Sequence, residues 1–421
     1  MSDDSSSTPA PNKQIETQGP QPDEPQNQGA GIRILALIGT GHAISNFYAL
    51  CLPPLIPFFK AEFGVSYAAL GAILSMRSLA AGVMQIPMGV AVDRLGAKPV
   101  LVAGGILMAA SFTLLALAPG YWTTLVLVAL LGAGMSTLRP ANYSIIVASI
   151  SQTWLGRAFG FNVFSAHAGR AMAPAVIIFL AALTDWRLAV MIVGVTGIVI
   201  TLGLISQWRY VRDDTKPATT GPKPGLNAQI KTFASRGMVL FFVFYALTAF
   251  SNQGLQSFTV VALVELERAP LGAASGALTG LLIASALGVL AGGYLADKTS
   301  RHGLIAVISL LASAGLVMSL GIVSMPTLLI VAVMSGVGIC QGVMRPARDM
   351  LLRAILPRRI FGRAISIVAS GTAIGGTVAP IVFGWIMDVG HAQWVFYILG
   401  ISIALMAVAV MIPKQRITLP T

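Results

Sequence analysis

The chain has 421 residues, of which 56% are hydrophobic and only 10% are charged, and its formal net charge is +12. A soluble globular domain carries about 25% charged residues, so this composition excludes a soluble enzyme, a disordered chain and a small disulfide scaffold. The excess of Lys and Arg fits loops that lie against an anionic membrane surface better than it fits a nucleic-acid partner.

The first residues differ in composition from all that follows. Residues 1–30 are rich in Ser, Pro, Gln and Gly and have no apolar face, which predicts a disordered tail. Beyond them, apolar stretches recur that are long enough to cross a bilayer core of about 30 Å. They predict twelve membrane-spanning helices at 33–58, 67–92, 99–118, 122–150, 157–183, 188–208, 238–264, 271–296, 303–323, 327–355, 361–387 and 393–412.

A polar linker divides the chain into two halves. Residues 209–236 are the long polar connection, which predicts six-helix bundles at 31–208 and 237–412 and a short tail at 413–421. If both termini share one side, the opposite side holds three basic residues, Lys60, Arg187 and Arg268. Because basic loops stay inside, we expect both termini and the linker to be cytoplasmic, in a bacterial-type inner membrane.

The two halves repeat each other at nearly constant spacing. Arg139-Pro140 returns as Arg345-Pro346, and 345 − 139 gives an offset of 206 residues. Further pairs share this offset: Ser45-Asn46 with Ser251-Asn252, Gly156-Arg157 with Gly362-Arg363, and Ala173-Pro174 with Ala379-Pro380. Duplicated halves of parallel topology are typical of membrane transporters, in which two rigid halves move about a site between them.

A charged motif follows the second predicted span. It comprises Gly89, Asp93, Arg94, Gly96 and Lys98. Gly89 predicts a close approach of two helices, and Asp93 can accept hydrogen bonds from a helix N-terminus or an arginine. The second half keeps Gly293 and Asp297 but has Ser300 in place of the second glycine. As an alternative, the motif is a basic turn that only fixes the topology.

Together these features resemble the major facilitator superfamily over about residues 33–412. The resemblance implies an all-α membrane protein of two pseudo-symmetric six-helix bundles, and a secondary transporter rather than an enzyme. It also implies that the two copies of the motif act as a cytoplasmic gate. The opening His42-x-x-x-Asn46-Phe-Tyr is similar to that of the fosmidomycin-resistance-like branch, although Arg139-Pro140 stands where that branch has His-Pro.

Ionisable residues inside the predicted spans point to the cargo. Five are arginines and one is an acid: Arg77, Arg139, Arg170, Arg345, Arg348 and Asp349. An arginine at the bilayer midplane costs about 2.5–3.5 kcal/mol unless it meets water, a counter-charge or a ligand. The excess of arginine predicts a cavity for a small organic anion, such as a carboxylate or a phosphonate. Alternatively, Arg139 and Arg345 bind helix carbonyls freed by the prolines that follow them.

Other polar residues in the spans complete the predicted site. Asn46, Asn252 and Gln256 are expected to line the same cavity, while Asp349, His167 and His42 are candidates for proton coupling. As alternatives, Asp349 is a permanently ionised partner of Arg345, and each histidine is a hydrogen-bonded structural residue.

The sequence contains neither a phosphate-binding loop nor a metal-ligand cluster, so we expect no cofactor, no metal and an ion gradient as energy source. The prediction is a monomeric, proton-coupled transporter of a small organic anion whose partners are its substrate, protons and lipid, with no nucleic acid. Two alternatives stay open: an exporter of drugs or toxic compounds, and a membrane receptor that binds a solute without moving it.

Overall fold

The fold was obtained as a computed structural model that describes residues 28–150, 154–207, 236–299, 301–355 and 361–411. The first half contains α1 (Gln28–Cys51), α2 (Ile56–Phe63), α3 (Tyr67–Leu95), α4 (Ala97–Leu115), α5 (Tyr121–Met135), α6 (Leu138–Ser149), α7 (Leu155–Leu183) and α8 (Trp186–Ser206). The second half contains α9 (Arg236–Glu267), α10 (Leu271–Lys298), α11 (His302–Ile322), α12 (Thr327–Ile355), α13 (Phe361–Asp388) and α14 (Gln393–Met411).

The architecture confirms an all-α membrane protein of two six-helix halves. The described residues contain ten segments that are long and apolar enough to cross a membrane. Two further helices, α9 and α13, have 32 and 28 residues. The predicted tail at 413–421 lies outside the described residues, as does the linker 209–236 apart from Arg236. At the other end, α1 begins at Gln28, within the predicted tail 1–30.

Prolines break two of the predicted spans into paired helices. Pro53 and Pro54 form a 3₁₀ turn that separates α1 from α2. Pro140 lies in the first turn of α6, where its ring would clash with the carbonyl of Ser136 in a continuous helix, and α5 ends at Met135. The equivalent Pro346 lies inside the uninterrupted helix α12. Hydropathy does not show these breaks, because the chain stays apolar through both.

The same pairs of helices pack in each half. In the first half α1 packs on α7, α3 on α5 and α4 on α8, and in the second half α9 packs on α13, α10 on α12 and α11 on α14. The two halves meet through α3 against α13 and α7 against α10. Residues on α3, α7, α10 and α13 therefore form most of the contact between the halves.

Glycines allow the closest of these helix contacts. On α7, a Cβ at Gly169 would collide with the carbonyl oxygen of Ala43 on α1. We expect Gly169→Ala to lower the free energy of unfolding by about 1–3 kcal/mol through overpacking. Gly203 on α8 has open space around it, so Gly203→Ala should leave the stability unchanged or slightly higher. Thermal unfolding in detergent measures both variants, and equal midpoints would contradict the packing argument.

Consecutive crossings run in opposite directions, which gives the bundle two faces. We call the face at which α1 begins and α3 ends the termini face, and the opposite one the distal face. At the distal face, Arg187 donates from Nε to Glu62 Oε1 at 3.1 Å and from Nη1 to the carbonyl of Ala116 at 2.7 Å. Trp186 Nε1 donates to Glu62 Oε2 at 2.7 Å. These bonds tie α2 to α8 and to the end of α4.

Candidate functional site

Arg170 is held by a hydrogen-bonded pair of residues on α1. Its Nε donates to Asn46 Oδ1 at 2.7 Å, and Asn46 Nδ2 donates to the carbonyl oxygen of His42 at 2.8 Å. Asn46 is only 6% exposed, so both ends of its carboxamide are engaged inside the protein. This bond fixes the orientation of Nε, and Arg170 as a residue is partly exposed. Its two terminal nitrogens can therefore bind other partners.

A second set of bonds connects α1, α6 and α7. His42 Nδ1 lies 3.1 Å from the carbonyl oxygen of Asn162 and 3.0 Å from its Oδ1. Asn142 Nδ2 donates to the same Oδ1 at 3.4 Å. Asn162 is absent from the sequence-based prediction, although one signal was available: Val368 stands 206 residues later, so the first half alone has a polar residue there.

Two further arginines lie near Arg170. Its guanidinium is within electrostatic range of those of Arg77 and Arg139. Arg77 donates from Nη2 to Ser78 Oγ at 3.4 Å, while its Nε is buried and has no hydrogen-bond partner among the described residues. Arg139 is exposed at the start of α6. The first half thus brings together the three arginines that the sequence predicts for the site.

The second half reaches this region through α12. Arg345 Nη1 lies 3.4 Å from His167 Nε2 on α7, so the two halves meet at His167. Because a guanidinium only donates, Nε2 acts as the acceptor in this contact. Arg348 lies over the ring of Tyr245, with its Cζ 5.1 Å from the ring centroid. Asp349 belongs to α12, but its side chain lies outside the described residues.

The repeat places on α9 an asparagine equivalent to Asn46, but without an arginine at the position equivalent to Arg170. Asn252 Nδ2 donates to the carbonyl oxygen of Thr248 at 2.7 Å, as Asn46 does to His42. The position that corresponds to Arg170 is Gly376, so this second carboxamide meets no arginine there. Gln256, one turn further along α9, is partly buried. The site is therefore asymmetric, with most of its charge contributed by the first half.

The predicted gate motif lies at the termini face. Asp93 and Arg94 are exposed at the end of α3, and Lys98 is partly buried in the first turn of α4. Gly96 separates the two helices with φ +90°, a conformation that favours glycine, and its N–H donates to the carbonyl of Val92 at 2.9 Å.

The close helix approach expected at Gly89 is missing from this conformation. A Cβ at Gly89 or at its repeat Gly293 would meet nothing within 4 Å among the described residues. The reason is geometric. These glycines lie toward the termini face, whereas α3 contacts α13 toward the distal face, through Tyr67 and Gly71. Asp297 belongs to α10, and its side chain lies outside the described part. The gate role of the motif stays a prediction.

At the distal face, α3 and α13 are joined by a carboxylate. Asp388, the last residue of α13, accepts hydrogen bonds from the backbone N–H groups of Tyr67 at 2.6 Å and Ala68 at 2.8 Å. Ser66 Oγ accepts from the next N–H, that of Ala69, at 3.1 Å. The free amides at the start of α3 are thereby satisfied, two of them by a residue from the other half.

Neighbouring contacts strengthen this junction. Tyr67 donates its hydroxyl to Glu265 Oε1 on α9 at 2.8 Å, and Lys60 Nζ lies 4.0 Å from Asp388 Oδ1. Deeper in the bundle, a Cβ at Gly71 would collide with the carbonyl oxygen of Pro380. The two halves are therefore in direct contact at the distal face.

Comparison with known proteins identifies the family to which this architecture belongs. The sequence profile described as "Major Facilitator Superfamily" matches residues 36–266 and 246–420, which covers most of the chain. The chain belongs to the Major Facilitator Superfamily. As a member of this superfamily it is an integral membrane protein and not an enzyme.

Individual relatives in the superfamily match shorter stretches. A probable L-galactonate transporter of Escherichia coli (strain K12) is 30% identical over 152 residues, or 36% of this chain and 33% of the relative. An uncharacterized transporter of the same superfamily from Mycobacterium tuberculosis (strain ATCC 25618 / H37Rv) is 27% identical over 176 residues, which are 42% of this chain and 41% of the relative. The chain thus matches a third to two fifths of the length of these relatives.

Solved structures of similar shape cover nearly the whole chain. The crystal structure of the nucleoside transporter NupG matches with a TM-score of 0.72 and 17% identity over 91% of this chain and 98% of that one. A bacterial homologue of the human lysosomal transporter Spinster, in an inward-facing and unoccupied conformation, matches with a TM-score of 0.69 and 17% identity. The match covers 91% of this chain and 95% of that one. At this identity, the likeness concerns the fold alone.

Proposed function

We propose that this chain is a secondary transporter that moves a small organic anion across the membrane by alternating access. The observation that carries the proposal is the arginine cluster of the first half, in which the charges of Arg77 and Arg139 both lie within electrostatic range of Arg170. Within the described residues, none of the three forms an ion pair. A carboxylate or phosphonate would supply the missing charge and accept from the forked guanidinium groups.

The relatives support a carboxylate as cargo. One of them is named as a probable L-galactonate transporter, and L-galactonate is the anion of a carboxylic acid. The asymmetry of the site also favours a substrate with one charged end, because the second half has Gly376 at the position equivalent to Arg170. In this proposal, Asn252 and Gln256 contact the uncharged part of the substrate.

Proton coupling is the second element of the proposal. His167 on α7 lies within electrostatic range of both Arg345 and Arg170. A proton added to its acceptor nitrogen would end its contact with Arg345, since both groups would then donate. Together with His42 and Asp349, His167 is a candidate to carry the proton. The proposed orientation places both termini in the cytoplasm, with the monomer in the inner membrane.

Uptake into proteoliposomes tests the proposed activity. The purified full chain is reconstituted, and uptake of radiolabelled D-gluconate is followed with and without an inward proton gradient. We expect accumulation that needs the protein, rises with the gradient and is inhibited by carboxylates but not by organic cations. Uptake of a cation that persists in an Arg77→Ala, Arg170→Ala double variant would contradict the anion proposal.

Export of a toxic anion is the second candidate function. The likeness of His42 and Asn46 to the opening of the fosmidomycin-resistance-like branch favours it. A phosphonate would satisfy the same arginines, so the two candidates differ in the direction of transport. Expression in a sensitised host, with a panel of anionic drugs, distinguishes them: growth rescue by the protein indicates export.

A further inference from the structure

We propose that His42 accepts a hydrogen bond from a substrate hydroxyl, so that the site selects hydroxylated carboxylates over plain ones, and that Asn162 is the positioning residue for His42. This inference rests on the proposed transport of an organic anion. It assigns a specificity-determining role to a histidine that the sequence suggests only for proton coupling.

The first step concerns the tautomer of the imidazole ring. Both atoms beside His42 Nδ1 are oxygens of Asn162, at 3.1 and 3.0 Å. A backbone carbonyl and a carboxamide oxygen only accept hydrogen bonds, so Nδ1 must carry the hydrogen. In the neutral ring, Nε2 then has a lone pair and acts as an acceptor.

The second step fixes the orientation of the Asn162 carboxamide. Its Oδ1 also accepts from Asn142 Nδ2 at 3.4 Å. The backbone carbonyl of Asn162 cannot turn over, so it keeps the hydrogen on Nδ1 of His42. If the carboxamide were turned over, its NH₂ group would face this N–H, and two donors would meet. His42 therefore favours the orientation in which the Asn162 carboxamide presents its oxygen to the ring.

The third step is the accessibility of the acceptor. His42 is partly exposed, and Nε2 makes no hydrogen bond within the part of the chain that the structure describes. It is not buried away from water either. The charges of Arg170 and Arg139 are within electrostatic range of the ring. A free acceptor thus stands beside the groups that would bind a carboxylate.

The fourth step identifies the chemistry of the ligand. Asn46 bridges His42 and Arg170, but both ends of its carboxamide are already used. Asn46 is also buried, so the accessible donors among these three side chains are those of Arg170 and the accessible acceptor is Nε2 of His42. A molecule that complements this pair carries a carboxylate and, close to it, a hydroxyl that can donate. Hydroxy acids and sugar acids carry both groups. Fatty acids carry only the carboxylate, and simple sugars carry only the hydroxyls.

Binding of three matched compounds to the purified full chain tests the inference. D-Gluconate has the carboxylate and the hydroxyls, hexanoate has the same chain length without hydroxyls, and sorbitol has the hydroxyls without the carboxylate. Loss of one hydrogen bond corresponds to about tenfold in affinity. We expect D-gluconate to bind at least about tenfold more tightly than hexanoate, as measured by isothermal titration calorimetry, and sorbitol more weakly than either.

Variants assign the selectivity to the two residues. In His42→Phe, which keeps a ring but has no acceptor, the ratio of gluconate to hexanoate affinity should fall to within about threefold of unity, with hexanoate binding little changed. Asn162→Leu should lower the ratio in the same direction. Asn162→Gln keeps a neutral carboxamide oxygen that can accept from Nδ1 and should retain the ratio. Ser165→Ala removes a bond within α7, from Ser165 to the carbonyl of Phe161, and should leave the ratio unchanged.

The outcomes separate this inference from the proposed function. Equal affinity for gluconate and hexanoate, or a ratio that survives in His42→Phe, would overturn the role of His42 and leave anion transport standing. A parallel loss of both ligands in Asn162→Leu, not restored by Asn162→Gln, would show that Asn162 has only a structural role. If neither carboxylate binds the wild-type protein, the proposed function itself fails.

Discussion

Replacing Arg170 with alanine is expected to weaken binding of an organic anion about 10- to 150-fold. The figure corresponds to one hydrogen bond to a charged group, roughly 1.5–3 kcal/mol. The guanidinium of Arg170 is oriented by its 2.7 Å bond to Asn46, so a flexible side chain elsewhere cannot easily replace it. Calorimetric titration of the purified chain with D-gluconate measures the effect.

Two controls show whether the effect comes from the guanidinium itself. Arg170→Lys keeps the charge but loses the planar fork and the bond to Asn46, and we expect an intermediate loss of about tenfold. Arg301→Ala removes an exposed arginine from the loop before α11 and should leave the affinity unchanged. If Arg170→Ala binds the anion as tightly as the wild type, the arginine cluster is not the binding site.

The sequence predicts Arg170 and the repeat, but not the bonds that orient the site. Arg170 stands out because the second half has Gly376 in its place, and a lone arginine in one half needs a specific reason. Asn162 carries a weaker signal: Val368 stands at its repeat position, but a single asparagine fits on many helices. Its partner His42 is 120 residues away along the chain, and only the packing of α1 on α7 brings the two side chains together.

The helix breaks show the same limit on a local scale. Hydropathy predicts a single span at 122–150, and the structure has α5 and α6 with a break before Pro140. The same dipeptide in the second half, Arg345-Pro346, lies in a continuous helix. A proline removes one backbone donor and disfavours helix in the preceding turn, but the surrounding helices decide whether the chain bends or breaks. Identical local sequence therefore gives two different structures.

Alternating access requires the distal face to open, and this requirement gives the last prediction. In the present conformation, Asp388 from the second half accepts two backbone hydrogen bonds at the first turn of α3, from Tyr67 and Ala68. These bonds satisfy helix amides and place a negative charge at the positive end of the helix dipole. They can exist only while the halves touch, so they stabilise the distal-closed state relative to the distal-open one.

Asp388→Ala is therefore expected to shift the equilibrium toward the distal-open state. Loss of a capping side chain costs about 0.5–2 kcal/mol, which corresponds to a population change of about 2- to 30-fold. Spin labels at Ala61 and Val389, both exposed on opposite halves of this face, report the separation by pulsed electron resonance after the native cysteines are replaced. The variant should show a larger population at long distance.

Matched variants separate the cap from a general effect of removing charge. Asp388→Asn keeps an acceptor oxygen without the charge and should lie between the wild type and Asp388→Ala. Glu267→Ala removes another carboxylate near the distal face, one that accepts from Ser324 within its own half at 2.7 Å, so the distances should not change. Because the bonds of Asp388 cross between the halves and the bond of Glu267 does not, an unchanged distance distribution in Asp388→Ala would mean that other contacts, such as the bond of Tyr67 to Glu265 and the packing of Gly71 against Pro380, hold the face closed without help from Asp388.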